Sequence, residues 1–184
     1  PLDTLSGNDT ITTTTSIHSQ LAAGGLIKGG AGIDTLKLAA GTTLNLASLT
    51  VNQTVSPIQE VEVFQMQGSS SVLTMTANDV LSLGGGASTM GPTYTFSSTT
   101  QATGATGSTS SSGKVQFVVH GLTGDTLNLQ ALANDGVTGT GNNAGILGNT
   151  SLAGSWAYKG TVVLNDAQGT SHTYKVYDHS TTGA

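Results

Sequence analysis

Cysteine is absent from this chain, and so is arginine. Without cysteine there are neither disulfides nor thiolate zinc sites. With five lysines against ten acids, and a net charge of -5, the chain lacks the basic footprint that nucleic acid requires. A polybasic membrane-surface helix is excluded for the same reason. Charged residues make up 8% of the chain, against roughly 25% in ordinary soluble domains. Aromatics make up 4%, which leaves few stacking platforms for a sugar or a base. No apolar run approaches the roughly 20 residues of a membrane-spanning helix, so no membrane insertion is expected. The chain opens Pro1-Leu2-Asp3, with neither methionine nor a basic leader, and is expected to be a piece of a longer protein.

Serine, threonine, asparagine and 26 glycines fill the gap. Threonine and valine suit strands, and glycine and asparagine suit turns. Intrinsic disorder is usually highly charged, which this chain is not. Its 184 residues are enough for one core, and one module over 1–184 is expected. Eight of the ten acids are aspartates, a bias that fits oxygen ligation of a hard cation.

The most specific motif is Gly29-Gly30-Ala31-Gly32-Ile33-Asp34-Thr35-Leu36, a glycine-rich turn ending in an aspartate and running into an apolar strand. Glycines reach backbone angles closed to other residues, so such a turn aims several carbonyl oxygens at one point. Calcium takes six to eight oxygens, and the spacing matches the nonapeptide of calcium-binding β-helix repeats. Asp34 with the carbonyls near Gly30 and Gly32 is the leading candidate site, completed by Asp9 and Asn8 from the related turn Leu5-Ser6-Gly7-Asn8-Asp9-Thr10-Ile11. Gly124-Asp125-Thr126-Leu127 repeats the core and adds Asp125 as a further candidate, although a plain Gly/Asp turn explains it better.

Strand alternation recurs at Leu36–Leu38, Thr42–Leu46, Ile58–Met66, Val72–Thr76, Lys114–His120 and Asp125–Leu129, with a closing hairpin from Thr161–Leu164 to His172–Tyr177. In Ile58–Met66 two registers compete, which predicts a bulge. Thr76 reads as a helix N-cap with Asp79 at the third position, and Gly84-Gly85-Gly86 ends that helix. Residues 97–113 are almost all serine, threonine, glycine and alanine, and read as a flexible loop. No long helical period appears, so the expected fold class is all-β: a β-sandwich with calcium-binding glycine-rich turns and room for a short β-roll element.

The Gly29–Leu36 turn, the element Leu73-Thr74-Met75-Thr76-Ala77-Asn78-Asp79-Val80-Leu81, the turn at Asp125, Trp156 and Thr173–Tyr177 follow an order that resembles RTX adhesins, giant proteins exported by type I secretion. The resemblance is to modules near their C-terminal secretion region. It implies a Ca2+-dependent, non-enzymatic module at the bacterial cell surface or in the medium. Such a module folds on export and serves adhesion or biofilm formation. The implied partners are calcium ions, neighbouring domains of the same protein and a glycan or peptide ligand. The chain departs from the family pattern in having one full and one partial copy of the turn, so a long roll is not expected. A glycan- or peptide-binding module and a non-catalytic domain of an RTX hydrolase are the alternatives. No Gly-x-Ser-x-Gly elbow or His-Glu-x-x-His is present. Glu60 and Glu62 alternate on a strand, where a solvated face or calcium ligation outweighs glycosidase chemistry. His172 with Asp178 is a weaker metal pair than simple exposed strand residues.

Overall fold

Leu2 pairs with Ile27, and Ile27 with Ile58. Thr10 pairs with Thr35, Thr35 with Val63, and Val63 with Val118. At these strands the chain returns beside itself in the same direction, at widening intervals, and builds a parallel solenoid. A computed structural model describes residues 1–49, 56–83, 117–130, 156–165 and 171–179.

The first coil holds β1 (Leu2–Asp3), β2 (Thr10–Thr12) and helix α1 (Ile17–Ala22). The second holds β3 (Ile27–Lys28), β4 (Thr35–Leu38), β5 (Thr43–Asn45) and α2 (Leu46–Leu49). The third holds β6 (Ile58–Gln59), β7 (Val63–Met66), β8 (Val72–Thr76) and α3 (Ala77–Leu83). β9 (Val118–His120) and β10 (Thr126–Gln130) belong to a fourth. Like strands stack on like: β1-β3-β6 form the first sheet, β2-β4-β7-β9 the second and β5-β8-β10 the third, each all-parallel. A long antiparallel hairpin follows, β11 (Trp156–Asn165) with β12 (Ser171–His179), its register shifting at Tyr158/Gly160.

Alternation along each short strand sends every second side chain inward. Stacking then aligns these side chains into columns. Ile11, Leu36 and Phe64 form one, Leu44 and Leu73 another, all buried. Phe117 continues the core, its ring 4.9 Å from that of Phe64. The column of Leu44 and Leu73 opens at Leu127, which is 37% exposed. Tyr174 of the hairpin packs against Val63 and Val118, and its hydroxyl lies 3.1 Å from His120 Nδ1.

This architecture overturns the β-sandwich. Among the described residues the fold is mixed α/β, with three parallel sheets, one antiparallel strand pair and three short helices. Apolar alternation reports that a residue is in a strand, but not which strand it pairs with. Here the corners bend the chain by a fraction of a turn instead of reversing it, so each strand bonds to the next coil. The Ile58–Met66 segment shows this. No bulge joins its halves; Glu60, at φ +51°, is a corner between β6 and β7 in different sheets. The helix at Thr76 is present, with Asp79 Oδ2 accepting from both Thr76 N–H (2.7 Å) and Thr76 Oγ1–H (2.8 Å). Gly84–Gly86 and the 97–113 segment lie outside the described residues. Among the described residues, no helix is long and apolar enough to cross a membrane.

Candidate metal centre

The corner Leu5–Asp9 lies on the corner Gly30–Asp34, residue over residue. Ala31 N–H donates to Leu5 O (3.0 Å) and Gly7 N–H to Ala31 O (2.8 Å). Such close approach is what the glycines permit. A Cβ on Gly32 (φ +148°) would collide with the Gly7 carbonyl, and one on Gly30 (φ +99°) with the Leu5 carbonyl. On the other side, a Cβ on Gly29 would strike the Glu60 carbonyl and stand 2.7 Å from Asp34 Oδ2. Thr4 Oγ1 donates to the Gly29 carbonyl across the same interface.

Three acids occupy the same station in three successive coils, each one residue before its strand in the second sheet: Asp9, Asp34 and Glu62. Each of the latter two reaches back one coil. Asp34 Oδ1 accepts the Asp9 N–H at 2.8 Å, and Glu62 Oε2 accepts the Asp34 N–H at 2.8 Å. Asp34 is fully buried and Glu62 is 3% exposed. Their other oxygens are treated unequally. Asp34 Oδ2 and Asp9 Oδ2 are buried with no hydrogen-bond partner.

Burial pushes the Asp34 carboxyl above its ordinary range. The Asp9 N–H bond opposes this, and the charges of Asp9 and Glu60 add to it. Glu62 is pushed up to about 7, first by burial, with the Asp34 N–H bond opposing and the Asp34 charge adding. The nearby base is Lys28, whose Nζ lies 3.5 Å from Glu60 Oε2 on the half-exposed rim. Two unpartnered buried carboxylate oxygens beside further acid charge carry a penalty that a bound cation would remove. The donor set is all oxygen, which suits calcium or magnesium and not zinc or copper. Among the described residues, no three His, Asp or Glu side chains converge as a metal cluster. A cation here would therefore draw on backbone carbonyls beside Asp9 and Asp34, as glycine corners allow.

The structure brings Asp34, Asp9, Asn8, Gly30 and Gly32 into one place. Asn8 braces it, its Oδ1 accepting the Ile33 N–H at 2.9 Å. Asp125 stands elsewhere, at the entry to β10 in the third sheet. Its Oδ1 takes the Ser71 N–H (2.9 Å) and its Oδ2 the Leu122 N–H (2.8 Å), so both oxygens serve the backbone. Glu62, which the sequence assigns to a solvated face or to calcium ligation, was not placed there with Asp9 and Asp34. Its place in the ladder is concealed because the corner at Glu60 breaks the apparent strand. Glu60 and Glu62 do not share a solvated face, since Glu62 is buried and Glu60 half-exposed. His172 meets the His120 ring edge-on at 4.6 Å. No protein-family model, no curated protein and no solved structure matches this chain.

Proposed function

We propose that this chain is a calcium-stabilised, non-enzymatic structural module of a secreted RTX-type adhesin. The observation that carries this reading is the pair of buried, unpartnered oxygens of Asp9 and Asp34 in stacked glycine corners. When bound, the ion supplies charge neutralisation and joins the first coil to the second. The residues that would hold it are Asp34 and Asp9, with carbonyls of the Gly30–Gly32 corner. Calcium is scarce inside cells and abundant outside. A fold that needs it is completed after export, at the cell surface or in the medium, where the module supports attachment between neighbouring domains.

Sites of this class bind at about 10⁻⁴ to 10⁻³ M. At a calcium concentration a hundred times Kd the fold gains about 2.7 kcal/mol. For a chain of this size that is a rise of about 5 to 10 °C in Tm. Thermal melts in calcium, in magnesium and in EGTA test this, with the rise expected in calcium alone. Identical melts in calcium and EGTA would sink the proposal.

A further inference from the structure

The N-terminal end of the solenoid is closed over one sheet and open over two. Helix α1 closes the third. It buries Ile17 and Leu21, lies against β5, and His18 Nδ1 accepts the Asn45 N–H at 3.4 Å. Over the other two sheets, β1 and β2 pair on one side only among the described residues. Leu2 and Thr4 donate their N–H groups inward to Leu26 and Lys28, so the peptide N–H of Asp3 faces away. Thr13 donates inward to Lys37 O, so that of Thr12 faces away.

Side chains at this end repeat what the inner coils use for stacking. Asp34 reaches back to Asp9 N–H, Glu62 to Asp34 N–H, and Asp125 to Ser71 N–H. Asp9 stands at the same station in the outermost coil, half-buried, and among the described residues no coil beyond it offers its carboxylate a backbone N–H. Gly32 leaves room for the Gly7 carbonyl, whereas the space beside Gly7 (φ +120°) holds only Asp9 Oδ2, 3.9 Å from where a Cβ would stand. Leu2 and Leu5 are 46% and 74% exposed at this end.

We propose that this end is a docking surface for one further glycine-cornered parallel coil, two strands wide, laid on β1 and β2. Its residue above Asp9 donates a backbone N–H to the Asp9 carboxylate, as Asp9 itself does to Asp34. The occupant continues the coil-on-coil interface already present between the first and second coils. A coil three strands wide does not fit, because α1 stands where the third strand would pair. Leu5, in the position of Gly30, requires a looser corner in the occupant at that point.

Three extended proteins test this. One carries a copy of residues 25–38 ahead of Pro1 on a short Gly/Ser return, the second the same segment scrambled, and the third a copy of residues 25–45. Amide hydrogen exchange is read at Asp3 and Thr12, with Leu36 and Phe64 as controls for the fold, in calcium and in EGTA. The first extension should slow exchange at Asp3 and Thr12 about tenfold or more over the scrambled one. Equal exchange in the two overturns the proposal. In the third protein the copied 43–45 strand should stay unprotected; protection there, with loss of protection in α1, overturns the two-strand width. Slowing that depends on protein concentration and accompanies a dimer assigns the edge to a second copy and also overturns it. Slowing in EGTA as well as in calcium separates this surface from the fate of the calcium reading.

Discussion

At the scale of the residue, the molecule depends on a few positions where backbones nearly touch. Gly32 and Gly41 make a useful contrast. Both have positive φ, but a Cβ on Gly41 meets nothing within 4 Å, while one on Gly32 runs into the Gly7 carbonyl. Gly41→Ala carries the conformational cost alone, about 1 kcal/mol. Gly32→Ala adds a backbone collision, and its expected cost is about 3 kcal/mol or more. Urea denaturation of the two variants measures the difference; equal losses would mean the corners do not stack as described. Asp34→Ala removes both the acceptor of Asp9 N–H and an unpartnered oxygen. The expected result by calorimetry is loss of the calcium heat, together with a loss of about 1–3 kcal/mol of stability in EGTA from the orphaned N–H. Unchanged calcium affinity would move the centre away from Asp34.

At the scale of the element, the helices end strands and the corners redirect them. Helix α3 begins at a reciprocal cap. Asp79 accepts from the Thr76 backbone and hydroxyl, and Asp79 N–H returns a bond to Thr76 Oγ1 at 3.3 Å. Asp79→Ala breaks this cap in a buried place, at an expected cost of about 2 kcal/mol, read as a lower urea midpoint with unchanged slope. The cap was legible in the sequence because it is local, as Thr-x-x-Asp before an apolar run. So was the kinship of the corners at Asp9 and Asp34, because both spell Gly-x-Asp-Thr and then an apolar residue. What escaped was non-local. Strand alternation in Thr35–Leu38 or Val72–Thr76 is the same whether the partner is antiparallel and near or parallel and a coil away. Glu62 looked like an outward strand residue because nothing in Ile58–Met66 announces a left-handed glutamate at position 60.

At the scale of the whole molecule, the buried acids set the response to pH. The Glu62 carboxyl rises from its ordinary 4.5 to about 7 in the fold, and Asp79 from 3.8 to about 6, both chiefly through burial. Asp34 moves in the same direction. Between the unfolded and folded values the native state keeps a proton that the unfolded chain has lost. Stability therefore falls as pH rises through that window, and the loss is complete above it. In EGTA, Tm should decline from pH 4.5 to 7, and Glu62→Gln should flatten the upper half of that decline. A Tm that climbs across this interval would contradict the burial of these groups. On the proposed calcium reading, an ion held by Asp9 and Asp34 would keep Asp34 ionised and remove its share of the slope, leaving that of Asp79.

Because the described coils bond to one another through parallel strands, the hydrogen bonds of the three sheets run along the solenoid's length. Tension drawn along that length meets a few bonds at a time instead of shearing a whole sheet at once. Such a body lengthens in steps, one loop after another, and re-forms on the loop still standing when the pull relaxes.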